Sequence, residues 1–109
     1  MKPETRFRQN RVLPFLKTLK HCARFPIQQV AIHGDPDYLL CIWGRFVGLE
    51  LKAEKKNPTV LQLEKLSSIE KAEGATIVAY PENWEQVKVR LSYMDATKEN
   101  AWQKLNPLR

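Results

Sequence analysis

Hydrophobic positions in this chain follow two periods. Residues 37–43 and 46–52 form two runs rich in aliphatic and aromatic side chains, with Gly44 and Arg45 between them. Two such runs joined by a short glycine-containing link predict a β-hairpin. With Trp43 paired to Phe46, partner numbers sum to 89, so Asp37 faces Lys52 and Leu39 faces Glu50. Side chains on a strand alternate between faces, and paired residues point the same way. Tyr38, Leu40, Ile42, Val47, Leu49 and Leu51 then share one almost wholly apolar face, and Asp37, Glu50 and Lys52 share the other. A one-residue slip would scatter both sets.

Elsewhere the spacing is helical. Over residues 4–23, Phe7, Val12, Leu16, Leu19 and Ala23 recur three to five apart, which predicts a helix with one buried stripe. Pro14 interrupts it: either the helix kinks near Asn10, or a second helix starts there with Pro14 in its first turn. Residues 27–32 read as a short strand or an irregular approach to the turn at Gly34-Asp35-Pro36. After a charged loop at 53–57, Asn57 and Pro58 suit a helix start. That helix runs to about Glu73, with Leu63, Leu66, Ile69 and Ala72 inward and Gly74 placed to end it. Residues 75–80 read as a central strand, and 82–91 as a helix with Trp84, Val87 and Leu91 inward. In the weakly patterned tail, 92–109, Trp102 and Leu105 suit a docked last turn or a subunit contact. A strand, crossover helix and strand in sequence favour parallel pairing. The expected fold is α/β, a small mixed β-sheet flanked by helices.

At 109 residues the chain suits one domain, 1–109, with a core at about 4–91 and the tail at 92–109. Lysine and arginine total 18 against 12 acids, a net charge of +6. That balance suits a polyanionic partner, though a solvated basic surface accounts for it equally well. Arg6, Arg8, Arg11, Lys17 and Lys20 spread around the first helix rather than forming one stripe. Cys22 and Cys41 form no CxxC pair and have no histidine at zinc-ligand spacing, so two buried thiols in a reducing compartment are expected. No run reaches the ~18 apolar residues of a membrane span, and the N-terminus lacks a signal-peptide apolar region. The expected location is cytoplasmic, in a bacterial or phage-infected cell.

The polar end of the hairpin gathers two carboxylates and an ammonium. Two carboxylates on adjacent strands repel each other and resist ionisation. A divalent cation between them removes that penalty, and hard oxygen ligands suit magnesium or manganese. The Leu51 carbonyl lies between Glu50 and Lys52 and is a candidate further ligand. Lys52 can reach an attacking water or the charge that develops on a phosphate. A lone Glu-x-Lys triplet is usually a solvated strand edge, and a lone Pro-Asp usually a turn. Their joint placement on one face raises the signal.

Pro36-Asp37 followed by Glu50-Leu51-Lys52 resembles the PD-(D/E)xK nuclease signature. The fuller run is Gly34-Asp35-Pro36-Asp37, then residues 44–53, Pro58 and Gln62, and it resembles the VRR-NUC branch of that superfamily. The resemblance covers roughly residues 4–83. It implies a restriction-endonuclease-like core and a DNA endonuclease dependent on Mg2+ or Mn2+. Asp37 and Glu50 would bind metal, Lys52 would orient the water, and Gln62 would support the site. Glu4 would hold a second metal or act through water. It further implies a homodimer that resolves Holliday junctions or other branched DNA in recombination or repair. His33, Lys55, Lys56 and Arg45 are candidate phosphate contacts, with a solvated surface as the plain alternative for each. The competing functional class is a non-catalytic nucleic-acid-binding or dimerisation module on a nuclease-like fold. A restriction-type site-specific nuclease would need base-reading segments that are not evident.

Overall fold

Strands β1 (Cys22–Pro26), β2 (Tyr38–Ile42), β3 (Arg45–Leu51) and β4 (Ala75–Ala79) form one mixed sheet in the order β1-β2-β3-β4. The computed structural model describes residues 1–27, 34, 36–54 and 56–98. β1, β2 and β3 are antiparallel neighbours, and β4 runs parallel to β3, as the crossover predicts. The hairpin register differs from expectation by two. Ile42 pairs with Arg45 and Tyr38 with Leu49, so partner numbers sum to 87. The turn is therefore Trp43-Gly44, with φ of 52° and 82°. Both central residues have the positive φ that a type I′ hairpin turn requires, with glycine second. A shift of two leaves every side chain on its expected face, and Tyr38, Leu40, Ile42, Val47, Leu49 and Leu51 are all buried.

Pro14 does not end the first helix. α1 (Pro3–Phe7) passes into a π-turn (Arg8–Val12) and then α2 (Leu13–Leu16). A wider turn places its hydrogen bonds at i→i+5 and absorbs one extra residue, which accommodates the proline's missing N–H and its bulk. It also explains the five-residue step from Phe7 to Val12, since Phe7, Val12 and Leu16 are all buried. The expectation that this helix continues to Ala23 is corrected. The chain leaves it after Leu16, and Cys22 to Pro26 become β1. The expected strand at 27–32 falls almost wholly outside the described residues.

The main core lies between the apolar sheet face and the helices on that side. Phe7 and Phe15 both meet the Trp84 ring edge-on, at 5.6 and 5.5 Å between centroids. α4 (Trp84–Ala96) buries Trp84, Val87 and Leu91 as expected. It also continues past 91 to bury Met94, so the core reaches into the segment read as a tail. β4 is an edge strand, not a central one. Its Val78 carbonyl accepts a bond from the Asn83 amide, whose oxygen accepts from the Tyr80 N–H.

α3 (Val60–Lys71) packs on the opposite sheet face. Its cap is Thr59, two residues beyond the expected Asn57. Thr59 Oγ1 accepts from the Gln62 N–H, and the Gln62 side-chain oxygen accepts from the Thr59 N–H. This is a capping box. Leu66 is buried, but Leu63 is 52% exposed and Ala72 is also exposed, so only part of the expected stripe faces inward. Ile69 presses so closely on the sheet that a Cβ at Gly48 would lie 2.6 Å from its Cδ1. At the helix end the left-handed residue is Glu73 (φ 67°), and the Gly74 N–H closes back on the Ile69 carbonyl at 2.8 Å.

Both cysteines are free, Cys22 half-buried and Cys41 exposed, so the expectation of two buried thiols holds only in part. Burial, aided by the Asp95 charge, pushes the Cys22 thiol up to about 11. Among the described residues no helix is long and apolar enough to cross a membrane. Trp102 and Leu105 lie outside the described residues.

Candidate functional site

The two-residue shift in register changes which groups meet. Continued one step beyond Tyr38–Leu49, it sets Asp37 across from Glu50 rather than Lys52. Asp37 Oδ2 accepts the Leu51 N–H at 2.7 Å, which fixes the aspartate at the mouth of the hairpin. Glu50 sits on the opposite side of β3 from Leu49 and Leu51, beneath the start of α3, and is 2% exposed. Its Oε2 accepts from the Gln62 amide nitrogen at 2.5 Å and lies 3.6 Å from Lys52 Nζ. Lys52 is itself 9% exposed.

The capping box explains why Gln62 points this way. Its side-chain oxygen is occupied by the Thr59 N–H. The amide NH2 must then face away from that N–H, and Glu50 is what it meets. The Thr-x-x-Gln pattern was readable in the sequence as a helix start.

Electrostatics make Glu50 unusual. Burial pushes its carboxyl up to about 8, and the Asp37 charge pushes the same way. Lys52 opposes this, while a side-chain hydrogen bond with Asp37 and the more distant charge of Glu4 add to the rise. At neutral pH the Glu50 carboxyl is therefore held toward its protonated form, because a second negative charge out of water and close to Asp37 is costly. Among the described residues no group of three or more histidine, cysteine, aspartate or glutamate side chains gathers in one place. The hard-oxygen donor set is this pair, with the Leu51 carbonyl beside it in sequence.

The structure thus brings Asp37, Glu50, Lys52 and Gln62 together, with Glu4 acting on Glu50 only weakly. It does not bring Arg45 to them. Arg45 lies at the turn end of the hairpin, where its guanidinium donates to the Met94 and Thr97 carbonyls and its Nε to the Ile42 carbonyl. Lys56 is exposed in the loop before α3. His33 and Lys55 lie outside the described residues.

A cleft of about 430 Å³ opens beside Asp37, lined by Arg8, Pro26, Ile27 and Tyr38. Burial pushes the Tyr38 phenol up; the Arg8 charge opposes this, Asp37 adds to it, and Arg24 again opposes it. The sequence pattern alone does not single out Arg8 and Tyr38 for the site. The available signal was that Tyr38 is the one polar-tipped member of an otherwise aliphatic strand face. A larger cleft of about 650 Å³ lies at the turn end, between Phe46, Ile69 and Met94. None of the paired site residues lines it.

No family model, curated protein or solved structure matches this chain. A mixed α/β fold with a four-stranded sheet is the class that the architecture defines.

Proposed function

We propose that this chain is a divalent-metal-dependent nuclease of the PD-(D/E)xK type, close to the VRR-NUC branch, hydrolysing DNA phosphodiester bonds. The observation that carries this reading is Glu50. It is a buried carboxyl set against Asp37, with Gln62 and Lys52 on one of its oxygens and its ionisation held back. A fold gains nothing in stability from such a pair, since an apolar pair of similar volume would be cheaper. Perturbed acids of this kind concentrate at functional sites.

The donor set fits a hard cation. Asp37, Glu50 and the Leu51 carbonyl would hold Mg2+ or Mn2+, with Glu4 as an outlying carboxylate. When bound, the ion neutralises phosphate charge and makes water a better nucleophile at neutral pH. The chain's own groups divide the remaining work. Lys52 orients the attacking water and offsets the negative charge that builds on the phosphate oxygens. Gln62 holds Glu50 in one rotamer, as outer-shell partners do for ligating carboxylates. The water oxygen bonds to phosphorus as the bond to the 3′-oxygen breaks. One of the water's protons reaches the departing 3′-oxygen by way of solvent and the other leaves with the ionising phosphate, giving a 3′-hydroxyl and a 5′-phosphate. Branched DNA is the substrate this reading favours, with two copies of the chain acting as a homodimer.

The test uses linear duplex, single-stranded, flap and four-way-junction DNA, with Mg2+, with Mn2+ or with chelator. Glu50→Ala and Lys52→Ala are run alongside. Metal-dependent cutting lost in both variants is expected. Cutting in chelator, or full activity in both variants, would overturn the reading.

A further inference from the structure

The cleft beside Asp37 does not end at Tyr38. A second cleft of about 720 Å³ shares Pro26 and Tyr38 with it and continues between the first helix and the edge strand β1, past Lys17 and Arg24. Register supports this placement. Arg24 pairs with Leu40 and Pro26 with Tyr38, so Arg24 turns to the same side of the sheet as the first helix. On the helix side, Arg8 lines the first cleft and Lys17 the second. Arg8, the first residue of the π-turn, lies in that wall.

Three cations thus line two adjoining clefts, the first of which opens beside Asp37, and among the described residues that line them Asp37 is the only carboxylate. Among the described residues, none of Arg8, Lys17 and Arg24 forms an ion pair or donates a side-chain hydrogen bond. Tyr38, which belongs to both clefts, is 4% exposed, and its hydroxyl has no hydrogen-bond partner among the described residues. A buried hydroxyl left unpaired is uncommon and marks a place where a ligand can complete the bonding. A row of cations and a hydroxyl with no partner among the described residues matches a chain of phosphates.

We propose that this groove binds the sugar–phosphate backbone of one DNA strand as it leaves the cleavage site, with Arg8, Tyr38, Arg24 and Lys17 as its contacts. The proposal rests on the nuclease reading for which end of the groove holds the scissile bond. The contacts are to phosphates, so the groove sets the strand's path and carries no sequence preference.

The test is fluorescence anisotropy with a 5′-labelled oligonucleotide, without divalent metal, over a series of salt concentrations. Wild type is compared with Arg8→Gln, Arg24→Gln, Lys17→Gln and the triple variant. Arg90→Gln, an exposed change on α4, is the charge-matched control. Each groove variant should weaken binding by roughly threefold to tenfold and flatten the slope of log K against log salt by about 0.7–0.9. The triple variant should lose binding at moderate salt. Arg8→Lys and Arg24→Lys should retain the slope. Thermal melting of every variant guards against misfolding. If the groove variants lose no more than Arg90→Gln, or if wild type does not bind DNA, the groove assignment is overturned. The two readings fail separately. Groove-dependent binding without metal-dependent cleavage would sink the nuclease alone, and cleavage unchanged in the triple variant would sink the groove alone.

Discussion

At the turn end of the β2–β3 hairpin, polar groups meet partners of opposite character. Arg45 donates to the Met94 and Thr97 carbonyls, the Trp43 indole donates to the Asp95 carbonyl, and the Asp95 carboxylate accepts the Lys20 and His21 N–H groups. The last carbonyls of a helix have no partners within it, so this end of the hairpin caps α4. The His21 ring stacks on Trp43 at 3.9 Å between centroids. At the open end of the same strands, a nearly fully buried glutamate faces an aspartate, and one ammonium 3.6 Å away only partly compensates. One end adds stability, and the other spends it on a charge arrangement that an ion or a phosphate would complete. Strands rigid enough to serve both ends separate the two roles along a single hairpin.

The largest effect should come from removing the like charge at the open end. The Glu50 carboxyl sits at about 8 in the folded chain against 4.5 ordinarily. Over that interval the unfolded chain has released a proton that the folded chain still holds. Stability therefore falls as pH rises from 4.5, and the loss is complete above about 8. The loss amounts to a few kcal/mol, given about 1.4 kcal/mol for each tenfold change in proton affinity. Melting in chelator from pH 5 to 9 should show the decline, and Glu50→Gln should flatten it. Added Mg2+ should raise the melting temperature of the wild type more at pH 8.5 than at pH 5.5, because binding displaces the proton. A flat profile in the wild type would remove the contrast between the two ends.

Breaking the turn end should do the reverse. Arg45→Ala strips charge-assisted bonds from two carbonyls at the α4 terminus and should cost about 2–3 kcal/mol by denaturant unfolding. Metal-dependent cleavage per folded molecule should be unchanged. Gln62→Ala tests whether the open end is also held by structure. Cleavage should fall about 10–100-fold, with about 1 kcal/mol of stability lost from the helix start. The smallest effect concerns the left-handed Glu73, which lines the cleft at the turn end with Gly44 and Arg45. Glu73→Gly should raise stability by about 0.5–1 kcal/mol without touching the site, readable as a shift in urea midpoint at constant slope.

The contrast between the ends was partly legible in the chain itself. Period-two alternation fixed both faces of the hairpin, because an error of two in register leaves parity intact. It leaves open which residue faces which: alternation equally admits Asp37 opposite Lys52, whereas its neighbour across the strands is Glu50. The turn type that decides the matter depends on Trp43 adopting a positive φ, which few tryptophans do. β1 has no sequence signature, because a short edge strand needs no apolar alternation and three of its five residues are exposed. The π-turn was visible only as a five-residue step and a misplaced proline. The α3 start shifted from Asn57 to Thr59 because the reciprocal Thr59–Gln62 bonds outweigh a proline signal. The capping of α4 by Arg45 joins residues about fifty positions apart, and no local pattern encodes it.

Gln62 has one further consequence, which concerns local opening. Its amide spans two structures: the oxygen closes the first turn of α3, and the nitrogen holds Glu50. Fraying of that turn and release of the glutamate are therefore one event rather than two. Anything that secures Glu50 should slow hydrogen exchange at the Thr59 and Gln62 backbone amides, while the amides at the turn end, near Trp43 and Asp95, keep their rates. The first turn of a twelve-residue helix would then report the state of a site that lies on a neighbouring strand.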